Sequence, residues 1–135
     1  MPETSEAVSV MFVLEPILAV DDSAPIREMI SSILVARGHR VATAANGREA
    51  LQRLRTMIEP HVILLDIVMP LLDGVGFCQE VERDEQLRNA GHKIILMSST
   101  VRLSGLSVPN AAGQLVKPFN RQELVAAIEA TRQVG

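Results

Sequence analysis

The chain has no tryptophan or tyrosine and only three phenylalanines in 135 residues. It therefore lacks the aromatic platforms that stack bases along a single strand or sandwich a flavin ring. One cysteine, Cys78, excludes an internal disulfide and a cysteine zinc site. No apolar run approaches the ~18 residues that span a bilayer. No Lys or Arg precedes Arg27, so the N-terminus lacks the pattern of a secretory signal. A formal net charge of −3 advertises neither a nucleic-acid surface nor an anionic-membrane surface. Lysine is scarce too: Lys93 and Lys117 stand against eleven arginines, and five aspartates stand against eleven glutamates. Where Arg and Glu fill the surface, the rare Lys and Asp mark positions to inspect. The expectation is a cytoplasmic, single-domain protein with no membrane partner and no direct nucleic-acid contact.

What is present is an alternating pattern. Residues 1–15 read as an N-terminal extension, polar through Glu6 and apolar from Ala7 to Leu14, and residues 16–135 as one domain. Apolar runs at Ile17–Val20, Arg40–Ala44, Val62–Leu65, Ile94–Met97 and Gln114–Val116 predict five strands. Between them, Ile26, Met29, Ile30, Ile33 and Leu34 recur at helical spacing behind Ser23 and Pro25, and Gly38 closes that helix. Asn46-Gly47 opens a second, with Ala50, Leu51, Leu54 and Ile58 inward. A third carries Val75, Cys78, Val81 and Leu87. Asn120 and Glu123 form a capping pair ahead of Leu124, Val125 and Ile128. Strand–helix alternation of this kind gives a parallel sheet with helices on both faces. A flavodoxin-like, doubly wound α/β fold of strand order 2-1-3-4-5 is expected. The fourth helix, within 99–110, should be short or irregular because Gly105 and Pro109 interrupt it.

Ligands of open α/β sheets bind at the carboxyl ends of the strands. Here Asp21 and Asp22 follow the first strand, Asp66 the third, Ser98 the fourth and Lys117 the fifth. Two carboxylates about 4 Å apart repel by roughly 4 kcal/mol at an effective dielectric near 20. Such a cluster calls for a cation, and a hard divalent ion with oxygen ligands, Mg²⁺ (or Mn²⁺), suits it alongside Lys117. No glycine-rich phosphate loop accompanies these groups, so a phosphorylated aspartate fits better than a bound nucleotide. Asp66 is then the nucleophile, with Lys117 offsetting phosphoryl charge and Ser98 donating to a phosphoryl oxygen.

The segments ILAVDDS (17–23), VILLDIVMPLLDG (62–74), IILMSST (94–100) and VKPF (116–119) together resemble the receiver domain of two-component response regulators, of the chemotaxis-regulator kind. The resemblance covers Pro16 to about Arg132. It implies Asp66 as phosphoacceptor, and Asp21, Asp22, Asp66 and the main-chain carbonyl of Val68 as Mg²⁺ ligands. It further implies Ser98 and Lys117 as the switch hydroxyl and essential lysine, and a cis Lys117–Pro118 bond. The phosphoryl donor would be a histidine kinase or histidine phosphotransfer protein. The chain would act as a stand-alone receiver, not as a conventional enzyme, on a downstream protein target. One departure is Gln114, where the family carries an aromatic switch residue. The other is the broken 99–110 segment.

The rival readings are a phosphorylation-independent pseudo-receiver, an aspartate-nucleophile phosphatase and an FMN-binding domain. A phosphatase of that kind places its nucleophile after the first strand in a D-x-D pattern, which Asp21-Asp22-Ser23 is not. His39, His61 and His92 share no metal-ligand spacing and are expected at the surface, as is the Lys93 ammonium.

Overall fold

A computed structural model describes residues 14–69, 71–99 and 111–132. The expectations for the extension before Leu14 and for the fourth helix lie outside these residues. The strands are β1 (Ile17–Val20), β2 (Val41–Ala44), β3 (Val62–Asp66), β4 (Lys93–Ser98) and β5 (Ala111–Val116). The helices are α1 (Ala24–Ala36), α2 (Gly47–Arg55), α3 (Gly74–Arg83), α4 (Glu85–Asn89) and α5 (Arg121–Thr131). All strand pairs are parallel, in the order β2-β1-β3-β4-β5. This is the expected order and fold class.

Period-two alternation along the strands divides the apolar residues between two cores. Leu18, Val20, Ile63, Leu65, Ile94 and Leu96 pack on one face with Leu54 and Phe77. Ile17, Ala19, Leu64 and Met97 pack on the other with Ile30, Leu34, Leu124 and Ile128. The helices start where side-chain caps allow. Ser23, Asn46, Asp73 and Asn120 each accept from a backbone N–H of the first turn, and Asn120 with Glu123 closes a full capping box.

Several expectations are corrected. Ile58 is not inward but 94% exposed, because α2 stops at Arg55, where Thr56 bonds back to the carbonyl of Arg53. Met57, not Ile58, packs against the core. Leu87 does not belong to α3: Asp84 ends that helix and caps the separate α4. Within α3 the buried apolar residues are Phe77, Cys78 and Val81, while Val75 is half-buried. Strand β5 begins three residues earlier than expected, at Ala111. A register shift between Ile94 and Ile95 accommodates Ala112 as an extra residue. His39 and His61 are buried and His92 is half-buried, not at the surface. Each bonds to main chain at the amino-terminal rim of the sheet. The Lys93 ammonium is engaged rather than solvated, donating to the Thr131 carbonyl at 2.6 Å, where it meets the negative end of α5.

Candidate functional site

The parallel sheet brings the carboxyl ends of β1, β3, β4 and β5 to one rim, and the polar residues expected there converge. Asp21 is fully buried and Asp66 is 6% exposed, while Asp22 faces solvent. Carboxylate oxygens of Asp21, Asp22 and Asp66 lie within 4.8 Å of one another. The Lys117 ammonium donates to Asp21 Oδ2 at 2.6 Å and stands 3.4 Å from Asp66 Oδ2. One cation thus bridges two of the three acids. Ser98 is buried at the end of β4, and its carbonyl accepts from the Lys117 N–H at 2.7 Å. That bond couples the hydroxyl-bearing strand to the lysine-bearing one.

Local geometry holds each acid. Asp21 Oδ1 accepts from the Ser23 N–H at 2.9 Å, at the entrance to α1. Asp66 Oδ1 accepts from the Val68 N–H at 3.3 Å, where the chain turns sharply away from β3. The turn depends on Gly74: its N–H reaches the Ile67 carbonyl, and a Cβ there would meet the Ile67 Cα at 2.7 Å and the Asp66 carbonyl oxygen at 2.8 Å. Val68 itself is 75% exposed at the mouth of the site. The Lys117–Pro118 peptide is cis.

The electrostatics are unbalanced. Burial, and next the Asp21 charge, push the Asp66 carboxyl above the ordinary aspartate value against the opposing pull of Lys117. A single ammonium among three clustered carboxylates leaves negative charge in excess. The donor set is all oxygen, partly buried and open on the Asp22 side. Those are the properties of a site for a hard divalent cation that retains water ligands.

One residue at the rim was not singled out from sequence. Arg27 donates to the Asp21 carbonyl at 2.6 Å from the first turns of α1, which fixes the backbone that carries the acid pair. Ile26, Met29, Lys117, Pro118 and Phe119 line an open, largely apolar recess beside the ammonium. Helical periodicity assigned Ile26 and Met29 to the core, yet Met29 is 37% exposed. Gln114, at the position of the expected aromatic, is exposed on β5. Asp73 caps α3 and lies outside the acidic cluster.

Five parallel strands in the order 2-1-3-4-5, with an acid cluster and a lysine on one rim, define a doubly wound α/β domain whose polar site lies at the carboxyl ends of its strands. The family model of the response regulator receiver domain matches residues 17–129, and the chain belongs to that family. It is similar over 120 residues, at 39% identity, to a probable transcriptional regulator ycf27 of Guillardia theta, covering 86% of this chain and 44% of the relative. It is 35% identical over 124 residues to the transcriptional regulatory protein AfsQ1 of Streptomyces coelicolor, covering 88% of this chain and 52% of the relative. The chain therefore spans about half the length of these curated relatives. Among solved structures, it resembles the chemotaxis response regulator CheY4 of Vibrio cholerae with a TM-score of 0.78 at 33% identity, covering 87% of this chain and 98% of that one. It also resembles the response regulator TrrA of Thermotoga maritima, solved in complex with Mg²⁺-BeF, with a TM-score of 0.75 at 32% identity over 87% and 99% of the two chains. The domain thus belongs to two-component signalling. The expected absence of direct nucleic-acid contact finds no support in relatives named as transcriptional regulators. Among the described residues no helix is long and apolar enough to cross a membrane.

Proposed function

We propose that Asp66 accepts a phosphoryl group from a histidine kinase or histidine phosphotransfer protein. The observation that carries this reading is the placement of a nearly buried Asp66 carboxylate 3.4 Å from the Lys117 ammonium and inside the Asp21–Asp22 cluster. An Asp66 oxygen attacks phosphorus while the donor's imidazole leaves, giving an acyl phosphate. Lys117 is poised to exchange its contact with Asp66 for a phosphoryl oxygen while keeping Asp21. Ser98, buried on the neighbouring strand, supplies a hydroxyl donor to another phosphoryl oxygen.

Asp21, Asp22, Asp66 and the Val68 main-chain carbonyl would hold Mg²⁺ (or Mn²⁺). When bound, the ion offsets phosphoryl charge and orients the transferring group. Its fit rests on the uncompensated oxygen cluster, and the Mg²⁺-BeF complex of the similar TrrA supports it. On this reading residues 16–135 are the receiver domain and residues 1–15 an extension. The domain works in the cytoplasm as a phosphoacceptor rather than a conventional enzyme, and passes its signal by protein–protein contact.

The test is intact-mass spectrometry with acetyl phosphate, with and without Mg²⁺. The parent protein should gain one phosphoryl mass in the presence of Mg²⁺, and Asp66→Asn should gain none while keeping its fold. Full labelling of Asp66→Asn would overturn the assignment. No labelling of the folded parent would leave the pseudo-receiver as the better description.

A further inference from the structure

The three acids of the rim are not held alike. Asp21 is held by three bonds: Oδ1 accepts from the Ser23 N–H at 2.9 Å, Oδ2 accepts from Lys117 at 2.6 Å, and its own N–H donates to the Ala44 carbonyl at 3.1 Å. Asp66 accepts from the Val68 N–H and lies 3.4 Å from the Lys117 ammonium. The Asp22 carboxylate faces solvent and has neither a hydrogen bond nor an ion pair among the described residues. It nonetheless stands within 4.8 Å of its two neighbours. No partner aims this side chain, so its direction into the cluster is set by the backbone that carries it.

One side chain grips that backbone. The Arg27 N–H donates to the Ser23 carbonyl at 3.1 Å, which seats the residue in the first turn of α1. From there its Nη1 reaches back six residues to the Asp21 carbonyl at 2.6 Å. A charge-assisted bond of that length is a strong one. It is the one bond of the Arg27 side chain among the described residues, and no carboxylate pairs with the guanidinium. Arg27 therefore acts on the acid pair through the peptide between the two residues rather than as a direct counter-charge. The Asp21 carbonyl and the Asp22 N–H share one rigid plane. Arg27 holds that plane on one side of Asp22, and the Ser23 N–H bond to Asp21 Oδ1 holds the chain on the other.

We propose that Arg27 is a positioning residue of the divalent-cation site: by holding the Asp21 carbonyl it aims Asp22 as an ion ligand and so sets the affinity of the cluster for Mg²⁺. The role presupposes the Mg²⁺ site in the acid cluster. An ion binds more tightly to ligands that need no ordering when it arrives. Removing a group that orients a metal ligand without touching the metal costs about ten- to a hundredfold in affinity. Because the bond uses a single donor and not the planar fork, an ammonium at the same position can replace much of it.

Calorimetric titration of the full chain with Mg²⁺ alone, with no phosphoryl donor present, tests this. Arg27→Ala should bind Mg²⁺ about tenfold more weakly than the parent protein. Arg27→Lys keeps a cationic donor and should stay within about threefold of the parent. Glu28→Ala, an exposed neighbour on the same turn of α1, should match the parent. Arg27→Met keeps the apolar stem and reads the same loss should Arg27→Ala not fold. A second measurement needs no metal. Amide exchange at Ser23, whose N–H closes onto Asp21 Oδ1, should quicken about tenfold in metal-free Arg27→Ala, because the freed peptide loosens that turn. Mg²⁺ affinity in Arg27→Ala or Arg27→Met within about twofold of a parent that does bind the ion would overturn the proposal and leave the metal site standing. Equal weakening in Arg27→Lys and Arg27→Ala would overturn the hydrogen bond as the cause. No Mg²⁺ binding by the folded parent, with Ser23 exchange still faster in Arg27→Ala, would instead refute the metal site and with it the role of Arg27 there.

Discussion

His92 carries the one buried side-chain nitrogen without a partner among the described residues, its Nε2. Its Nδ1 accepts from the His61 N–H at 2.9 Å, so the proton of the neutral ring sits on Nε2 and points at nothing polar. Burial, and next the neighbouring His61, depress the His92 ring to about 4. The sign follows from linkage. An unfolded chain takes up this proton near 6.5 and the folded chain does not, so the stabilising preference for the neutral ring is complete above 6.5. It is lost as pH falls toward about 4. His92→Asn keeps an acceptor near the Nδ1 position and removes the proton site. Urea melts between pH 7 and 4 should show a flatter stability curve for this variant. An unchanged slope would show that His92 does not control the acid limb. The acid groups at the opposite rim were legible in the sequence because each sits at the end of an apolar run, where side-chain direction leaves few alternatives. The histidines were not legible, since a ring in a connection can turn outward or find a main-chain partner, and only the fold decides which.

Among the elements, those that begin with a cap were the easiest to read. Ser23, Asn46 and Asn120 announce α1, α2 and α5 because their side chains satisfy N–H groups that the helix cannot. Ends were harder. Arg53 to Pro60 keeps an apolar residue at a helical interval, yet α2 stops at Arg55, and Ile58 is left to solvent. The break at Asp84 was missed because Leu87 was assigned to the preceding helix, although six residues past Val81 it lies off that helix's apolar face, and the Asp84 carboxylate caps a new helix there. In β5 the residues Ala111–Gly113 carry too little hydrophobicity to signal a strand, and pairing with β4 supplies what sequence pattern does not. The α5 capping box makes a direct prediction. Asn120 Oδ1 accepts from Glu123 at 2.8 Å, and Glu123 Oε1 accepts from Asn120 at 2.9 Å, three residues beyond Lys117. Asn120→Ala should cost about 1 kcal/mol in chemical denaturation. Phosphoryl uptake from a small donor should survive, because Lys117 is held by β5 through the Ser98 carbonyl and not by the cap. Loss of uptake in a folded Asn120→Ala protein would show that α5 positions the ammonium.

Across the whole molecule, the acid rim trades stability for a binding site. The apolar sheet layer forces Asp21 and Asp66 to be buried together, and Lys117 compensates only part of their charge. Because the Asp66 carboxyl is raised in the folded chain, the fold binds its proton more tightly than the unfolded chain does. Stability from this group is therefore greatest below the ordinary aspartate value and declines as pH rises through the raised one. Near neutral pH the metal-free protein should be less stable than Asp66→Asn, and the two should converge in acid. Mg²⁺ that binds only the folded state reverses the penalty by mass action. At a hundredfold excess over its dissociation constant it adds about 2.7 kcal/mol, or roughly 10 °C in melting temperature for a domain of this size. Asp22→Ala removes the exposed member of the cluster without opening the core, so it should fold normally and lose most of that gain. Thermal melts of the three proteins across a Mg²⁺ series, at neutral pH and again near pH 4, check the scheme. A parent protein whose melting temperature ignores millimolar Mg²⁺ would refute a metal site in this cluster. An equal response in the parent and Asp22→Ala would move the ion away from the acid pair.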